Sequence, residues 1–206
     1  MPVLMRLLWA AALVLPAFGA SAAVVLTTLH SFQQSFPNGA NPAGWLVQGS
    51  DGNFYGTTEG GGLYNAGTVF AISTNGALTT LYAFGTVTNA YGQPQDGATP
   101  EAGLVQGSDG NFYGTTSGGG TNGDWGTVFK ISTNGALTSL YSFGSIVGPV
   151  SGGQGEFGAL DGANPSSWLV QGSDGSFYGT TEWGGSDLIS PLPGRAPCSK
   201  STPMGR

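Results

Sequence analysis

The sequence predicts an all-β protein made of tandem four-stranded antiparallel units that form part of a β-propeller. Three observations predict it. The string Gly49-Ser50-Asp51-Gly52-Asn53-Phe54-Tyr55-Gly56-Thr57-Thr58 returns unchanged at 107–116 and returns at 172–181 with Ser176 in place of the Asn. Self-similarity at a fixed spacing is the signature of a repeat architecture. The composition, with 38 Gly and only 8% charged residues, disfavours helices, because Gly weakens helix interiors and charged helix formers are scarce. Runs rich in Val, Ile, Thr, Phe and Tyr are punctuated by Asp-Gly and Asn-Gly, the dipeptides that turn one strand back on the next.

Residues 1–23 read as a secretory signal peptide. Arg6 supplies a positive charge, Leu7 to Phe18 is almost wholly apolar, and Gly19-Ala20-Ser21-Ala22-Ala23 offers small residues for cleavage after Ala22 or Ala23. The alternative is an uncleaved anchor, but the apolar run is shorter than the roughly 20 residues of a bilayer span. No other segment could span a membrane. The chain is therefore expected to be exported, to the extracellular space or the cell surface, with the periplasm as the other destination.

Residues 24–37 carry an orphan strand. Leu26-Thr27-Thr28-Leu29-His30-Ser31-Phe32 matches Leu78-Thr79-Thr80-Leu81-Tyr82-Ala83-Phe84, the end of the first repeat. In a closed ring such a strand completes the final blade. The runner-up architecture, an open solenoid-like stack of sheets, gives it no purpose beyond capping. Repeat 1 with its connector occupies 38–95, repeat 2 with its connector 96–160, and a partial repeat 3 runs over 161–187. The four strands expected in the first unit are Trp45–Gln48, Phe54–Thr58, Thr68–Ser73 and Leu78–Phe84, joined through turns that contain Asp51-Gly52 and Asn75-Gly76.

Strand alternation assigns the loops to faces. The Asp-Gly and Asn-Gly turns share one face. The Gly-rich loops Glu59–Gly67 and Ser117–Gly126 lie on the other, with the connectors 33–37, 85–95 and 144–160. The connectors lengthen along the chain while the units hardly change, and longer surface loops cost little entropy. A binding face, where there is one, is expected to be this second face.

Charge excludes one class of partner. Between Val24 and Asp187 there is a single cation, Lys130, against all eleven acidic residues. A phosphate backbone needs Lys and Arg to displace its counterions, so no nucleic acid is expected as partner. Cys198 is the only Cys, which leaves no disulfide framework and no Cys-based metal site.

The string L-V-Q-G-S-D-G-N-F-Y-G-T-T, then G-G-G, then G-T-V-F-K-I-S-T-N-G-A-L-T-x-L-Y-x-F, resembles the choice-of-anchor tandem repeat GloVer-containing proteins of bacteria. The resemblance covers nearly everything from Leu26 to about Gly185. It implies an exported repeat protein, normally with more repeats and a C-terminal sorting segment, and it implies no assigned activity. This chain departs from the family in having few repeats and no sorting segment.

After Asp187 the repeat stops. The segment 188–206 holds three of the five Lys and Arg, where Gly-Thr-Val-Phe should follow. Shifted by one base toward the 5′ side, the codons for Arg-Ala-Pro-Cys-Ser-Lys-Ser (195–201) can read Gly-Thr-Val-Phe-Lys-Ile or Val. The expectation is a single-base insertion or deletion between about Asp187 and Arg195, in the gene or its sequencing. A genuine divergent tail is the alternative. With two complete units and part of a third, the chain falls short of the roughly four blades of the smallest closed propellers, and its open sheet edges invite self-association.

Candidate chemistry is sparse. Asp51, Asp109 and Asp174 invite a calcium reading, but a calcium loop needs six or more oxygen ligands, and each acid stands alone in what reads as a two-residue turn. Turn chemistry is the simpler account, also for Asp96 and Asp161. His30, the only imidazole, sits where later repeats carry Tyr82 and Tyr141 and reads as a sheet residue. Glu59 and Glu182 occupy equivalent positions on the variable face, with Asp124 in the intervening loop, and are the one route to paired-carboxylate chemistry. Tyr64, Trp125 and Trp183 lie in or beside the Gly-rich loops. They either stack on sugars or anchor a protein partner, or they pack against the neighbouring unit; the sequence leaves both open.

The function these features predict is non-enzymatic: surface recognition or adhesion by an exported propeller-type protein, with a protein or glycan partner and no cofactor or metal. The alternatives are a secreted carbohydrate-active enzyme using loop carboxylates, and a non-functional truncated copy.

Overall fold

The computed structural model describes residues 26–32, 37–149, 157–185 and 198–201. The expected signal peptide and most of the divergent tail lie outside the described residues. Every regular element among the described residues is a β-strand. No helix of the described residues is long and apolar enough to cross a membrane.

Unit 1 contains β1 (Ala40–Pro42), β2 (Val47–Gln48), β3 (Phe54–Gly60), β4 (Thr68–Ile72) and β5 (Leu78–Ala83). Strands β2 to β5 form an antiparallel meander, and β1 pairs with the far end of β3 beyond β2. Unit 2 repeats the meander with β6 (Val105–Gln106), β7 (Phe112–Thr116), β8 (Thr127–Ile131) and β9 (Leu137–Ser142). The registers coincide. Phe54 faces Ile72 as Phe112 faces Ile131, and a bulge falls at Val69/Phe70 and again at Val128/Phe129. After a hairpin of β10 (Val147–Pro149) and β11 (Phe157–Ala159), unit 3 follows with β12 (Val170–Gln171), β13 (Phe177–Thr180) and β14 (Cys198–Ser201). The chain is thus an all-β protein of four-stranded antiparallel repeat units.

Two local expectations need correction. The first strand is Val47–Gln48, shorter than the expected Trp45–Gln48. Upstream of it, the chain is pressed against the next unit: a Cβ on Gly44 would lie 2.4 Å from Gly103 N. The Asp-Gly turns are three-residue loops, not two. Gly49 N–H donates to Asn53 O at 2.8 Å and Gly52 N–H to Gly49 O at 2.9 Å, with Gly52 at φ 86°. A tight turn followed by a left-handed residue restores the right-handed twist of the strands, and Gly takes that conformation without strain.

The apolar core lies between units. Tyr55, Val69 and Phe84 of unit 1 pack with Leu104, Phe112, Phe129 and Ile131 of unit 2. A second cluster joins Tyr113, Val128 and Phe143 of unit 2 to Leu169 and Phe177 of unit 3. Fully burying a side chain such as Phe129 contributes about 1.5–3 kcal/mol. Among the described residues both clusters of buried apolar side chains span two units, so the repeats stand by stacking.

In unit 3, β14 occupies the place of β8. Phe177 faces Ser201, Tyr178 faces Lys200 and Thr180 faces Cys198, as Phe112, Tyr113 and Thr115 face Ile131, Lys130 and Val128. The fit is incomplete. Thr58 pairs with Thr68 at 2.8 Å and Thr116 with Thr127 at 2.8 Å, but the buried hydroxyl of Thr181, their equivalent, has no partner among the described residues.

Candidate functional site

The turn face is built from carboxylates that serve their own loops. Asp51 Oδ1 accepts the Asn53 N–H at 3.1 Å, and Oδ2 accepts Tyr55 OH at 2.7 Å and Asn53 Nδ2 at 2.9 Å. Asp109 does the same with Asn111 and Tyr113, and Asp174 with Ser176 and Tyr178. The Tyr55 bond, above all, holds the Asp51 carboxyl below its ordinary range. At Asp109 burial acts in the opposite direction, but the bonds from Asn111 and Tyr113 outweigh it. Burial first, and the carboxylate second, push the Tyr55 and Tyr113 phenols up to about 12. These acids hold the turn to the strand behind it.

Asp96 and Asp161 do more than turn chemistry. Asp96 is buried, at 5% exposure, and accepts Tyr82 OH at 2.7 Å, Gly85 N–H at 3.1 Å, and Thr86 N–H at 3.0 Å and OH at 2.8 Å. Asp161 repeats this with Tyr141, Gly144 and Ser145. Each clamps both ends of a connector to the last strand of the unit. Between the clamped ends the chain projects as a hairpin: Thr88 bridges Pro94 around the Asn89–Gly92 turn in the first connector, and β10 pairs with β11 in the second. Both hairpins adjoin the Gly-rich loops, through Gly120 N–H to Pro94 O at 3.0 Å and Gly185 N–H to Ala159 O at 3.1 Å.

The residues singled out on the loop face divide into two groups. Asp124 is spent within its loop: Oδ1 accepts the Gly119 N–H, as Asn65 Oδ1 accepts that of Gly61 at 3.0 Å. Trp125 is half-buried and packs against the unit 2–unit 3 core, with its indole over Gly144. Glu59 lies half-buried at the end of β3, and Glu182 is exposed, its backbone bonded to Asn164. Tyr64 and Trp183 remain open to solvent, Trp183 at 60% exposure. The face accordingly offers two exposed rings and two carboxylates from units 1 and 3.

A model of the Gloeobacter/Verrucomicrobia repeat matches residues 18–157, which takes in both complete units. The chain belongs to the Gloeobacter/Verrucomicrobia repeat family. No curated protein matches it.

Two features of this Gloeobacter/Verrucomicrobia repeat protein escaped the sequence reading. The connector hairpins expose Val87, Tyr91, Ile146 and Val147, with Tyr91 at 90%. Only the unequal connector lengths hinted at them. Trp45 and Trp168 meet edge to face, with ring centroids 5.2 Å apart, although they belong to units 1 and 3. At the equivalent place unit 2 carries Gly103, which leaves room for the contact. Aligning the three units on their Leu-Val-Gln strings shows the Trp-Gly-Trp series, which was the available signal.

Proposed function

We propose that this repeat protein is exported and non-catalytic, that its units belong to a β-propeller, and that it recognises a protein or glycan at the cell surface. The observation that carries this reading is the exposed aromatic set Tyr64, Tyr91 and Trp183. It lies on the face where Gly-rich loops and connector hairpins meet. Rings held on short, hydrogen-bonded loops give large contact area at low entropic cost, the property of binding hot spots. Two core clusters that each join one unit to the next support the propeller reading.

Glycan arrays and pull-downs with the purified protein test the reading. A ligand that loses about tenfold or more in affinity on Tyr91→Ala or Trp183→Ala supports it. The absence of a partner of any class defeats it. Hydrolysis of a glycan that is abolished by Glu59→Gln or Glu182→Gln would replace it with the enzyme reading.

A second reading concerns the tail alone, and the unpartnered Thr181 hydroxyl favours it. The register sets Cys198, Ser199, Lys200 and Ser201 where unit 2 has Val128, Phe129, Lys130 and Ile131. The shifted codons for Val-Phe-Lys-Ile take the first two bases of the codons of those same four residues. We propose that the tail is a frame-shifted repeat strand. Sequencing the gene across the codons for Thr181 to Arg206 decides it, since an unshifted frame through Arg206 removes the idea.

A further inference from the structure

Asn followed by Gly is a reactive dipeptide. The Gly backbone nitrogen attacks the Asn side-chain carbonyl carbon, because no side chain on Gly blocks the approach. The two atoms must first come within about 3–3.5 Å of each other, which takes freedom in the backbone between them. Three such pairs lie in loops that join paired strands of units 1 and 2: Asn75-Gly76, Asn122-Gly123 and Asn134-Gly135, each with its Asn exposed.

Two of the three are held. Gly76 N–H donates to Ser73 O at 2.9 Å and Gly135 N–H to Ser132 O at 3.0 Å, so the attacking nitrogen is engaged inside a closed turn. Ser73 N–H to Ala77 O at 3.0 Å and Ser132 N–H to Ala136 O at 3.1 Å shut those turns. The Asn side chains are engaged as well. Asn75 Oδ1 accepts the Ser73 hydroxyl and the Ala77 N–H, and Asn134 Oδ1 accepts the Ser132 hydroxyl and the Ala136 N–H. Both glycines are half-buried against a neighbouring strand. An added Cβ would lie 2.6 Å from Leu29 O at Gly76 and 2.5 Å from Leu81 O at Gly135.

Asn122-Gly123 lacks every one of these restraints. Gly123 is exposed, and among the described residues its N–H has no acceptor. The nearest atoms to an added Cβ there belong to Trp125 of the same loop, at 3.2 Å. Asn122 Oδ1 has no described donor. One bond holds the side chain, from Nδ2 to Ser142 O at 2.9 Å.

We propose that Asn122 is a site of spontaneous deamidation, and that the reaction unhooks the Gly-rich loop of unit 2 from β9. Gly123 N forms a bond to Asn122 Cγ and loses its proton to solvent. The Cγ–Nδ2 bond breaks, and ammonia leaves as it takes up a proton. The resulting cyclic imide is opened by water at one of its two carbonyls, giving an aspartyl residue or an isoaspartyl link that routes the backbone through the side chain. No oxidation state changes. Either product replaces a donor with a carboxylate that only accepts, facing the Ser142 carbonyl and close in sequence to Asp124. The Ser142 contact therefore turns repulsive. The neighbouring bond from Thr121 N–H to Ser142 Oγ, at 3.2 Å, loses its support. The inference rests neither on the recognition reading nor on the origin of the tail.

Peptide mapping by mass spectrometry tests it, on the purified folded chain kept in warm, mildly alkaline buffer, with isoaspartate counted by enzymatic methylation. Conversion at Asn122 is expected to run about tenfold or more faster than at Asn75 and Asn134. In denaturing guanidinium chloride the three rates should fall within about threefold of one another, since only the fold separates them. Equal rates in the folded chain, faster loss at Asn75 or Asn134, or a difference that persists after unfolding would each overturn the proposal. The Asn122→Asp variant carries the carboxylate from the start. Its Thr121 N–H should exchange with solvent about threefold or more faster than in the parent, and unchanged exchange would refute the release of the loop.

Discussion

Thr99 is a β-branched residue at φ 54°, where units 1 and 3 carry Asn41 and Asn164 at φ 56° and 53°. Asn tolerates this left-handed conformation and Thr does not. The Thr99 backbone is held there by Ala66 O at 2.8 Å, to which its N–H donates, and by Ser117 N–H, which its carbonyl accepts at 3.0 Å. Thr99→Asn should therefore stabilise the protein by about 1 kcal/mol, read from urea unfolding. Asp96→Ala should do the reverse. It strands the Gly85 and Thr86 N–H groups and the Tyr82 hydroxyl, at a cost of about 3 kcal/mol in the same assay. The tyrosines set an alkaline limit. Tyr55, Tyr82 and Tyr113 are raised to about 12, by burial foremost, from an unfolded value of about 10. Their contribution is complete below about pH 10 and is lost as pH rises toward 12, because the folded state holds protons that the unfolded state has released. Asp51, Asp109 and Asp161 are lowered, so their contribution is present above about pH 4 and lost as pH falls through the folded values. Thermal melts across pH should show a plateau with a fall at each end, and Tyr55→Phe should blunt the alkaline one.

The element most open to test is the third strand of unit 3. In units 1 and 2 the rings of Phe70 and Phe129 lie over Gly56 and Gly114, where an added Cβ would meet them at 2.8 and 2.7 Å. Over Gly179, among the described residues, only Leu169 comes that close, and the register sets Ser199 opposite. Replacing Ala196–Ser201 with the sequence of Gly126–Ile131 supplies both that Phe and a Thr partner for Thr181. Hydrogen exchange at Phe177–Thr180 should slow by about tenfold or more, and unchanged exchange would mean that unit 3 has no strand site of this kind. The main strands of units 1 and 2 were legible in the sequence to within a residue or two, because Asp-Gly and Asn-Gly fix where each strand turns. The shortened first strand was not. Its limit is set by Gly44 and Gly103 pressing together, which involves residues far apart in the chain. The connector hairpins were equally hidden, since Asp96 closes one by reaching Tyr82 and Thr86 of another element.

At the scale of the molecule, stability resides in the junctions. Each sheet contributes one side of a core that its neighbour completes, so the units should separate in steps when one junction is weakened. Tyr113→Ala removes a ring stacked on Phe177 and should cost about 3–5 kcal/mol at the junction of units 2 and 3. Limited proteolysis is expected to release unit 3 first and leave units 1 and 2 intact. A single cooperative transition with all three units lost together would contradict a junction-based account. The candidate face obeys the same division. Tyr64 and Trp183 were legible as aromatics in Gly-rich loops, yet Trp125, in the same sequence setting, is drawn into a junction core.

The sequence by itself determined the repeat, the all-β class, the main strands and the turns, because these follow from local patterns of Gly, Asp, Asn and alternating apolar residues. Only the tertiary structure decided which acids are spent as clamps, which aromatics stay exposed, and that Trp45 and Trp168 meet across Gly103. Those outcomes depend on how one unit leans on the next, and a contact between units is made by residues that no local pattern links.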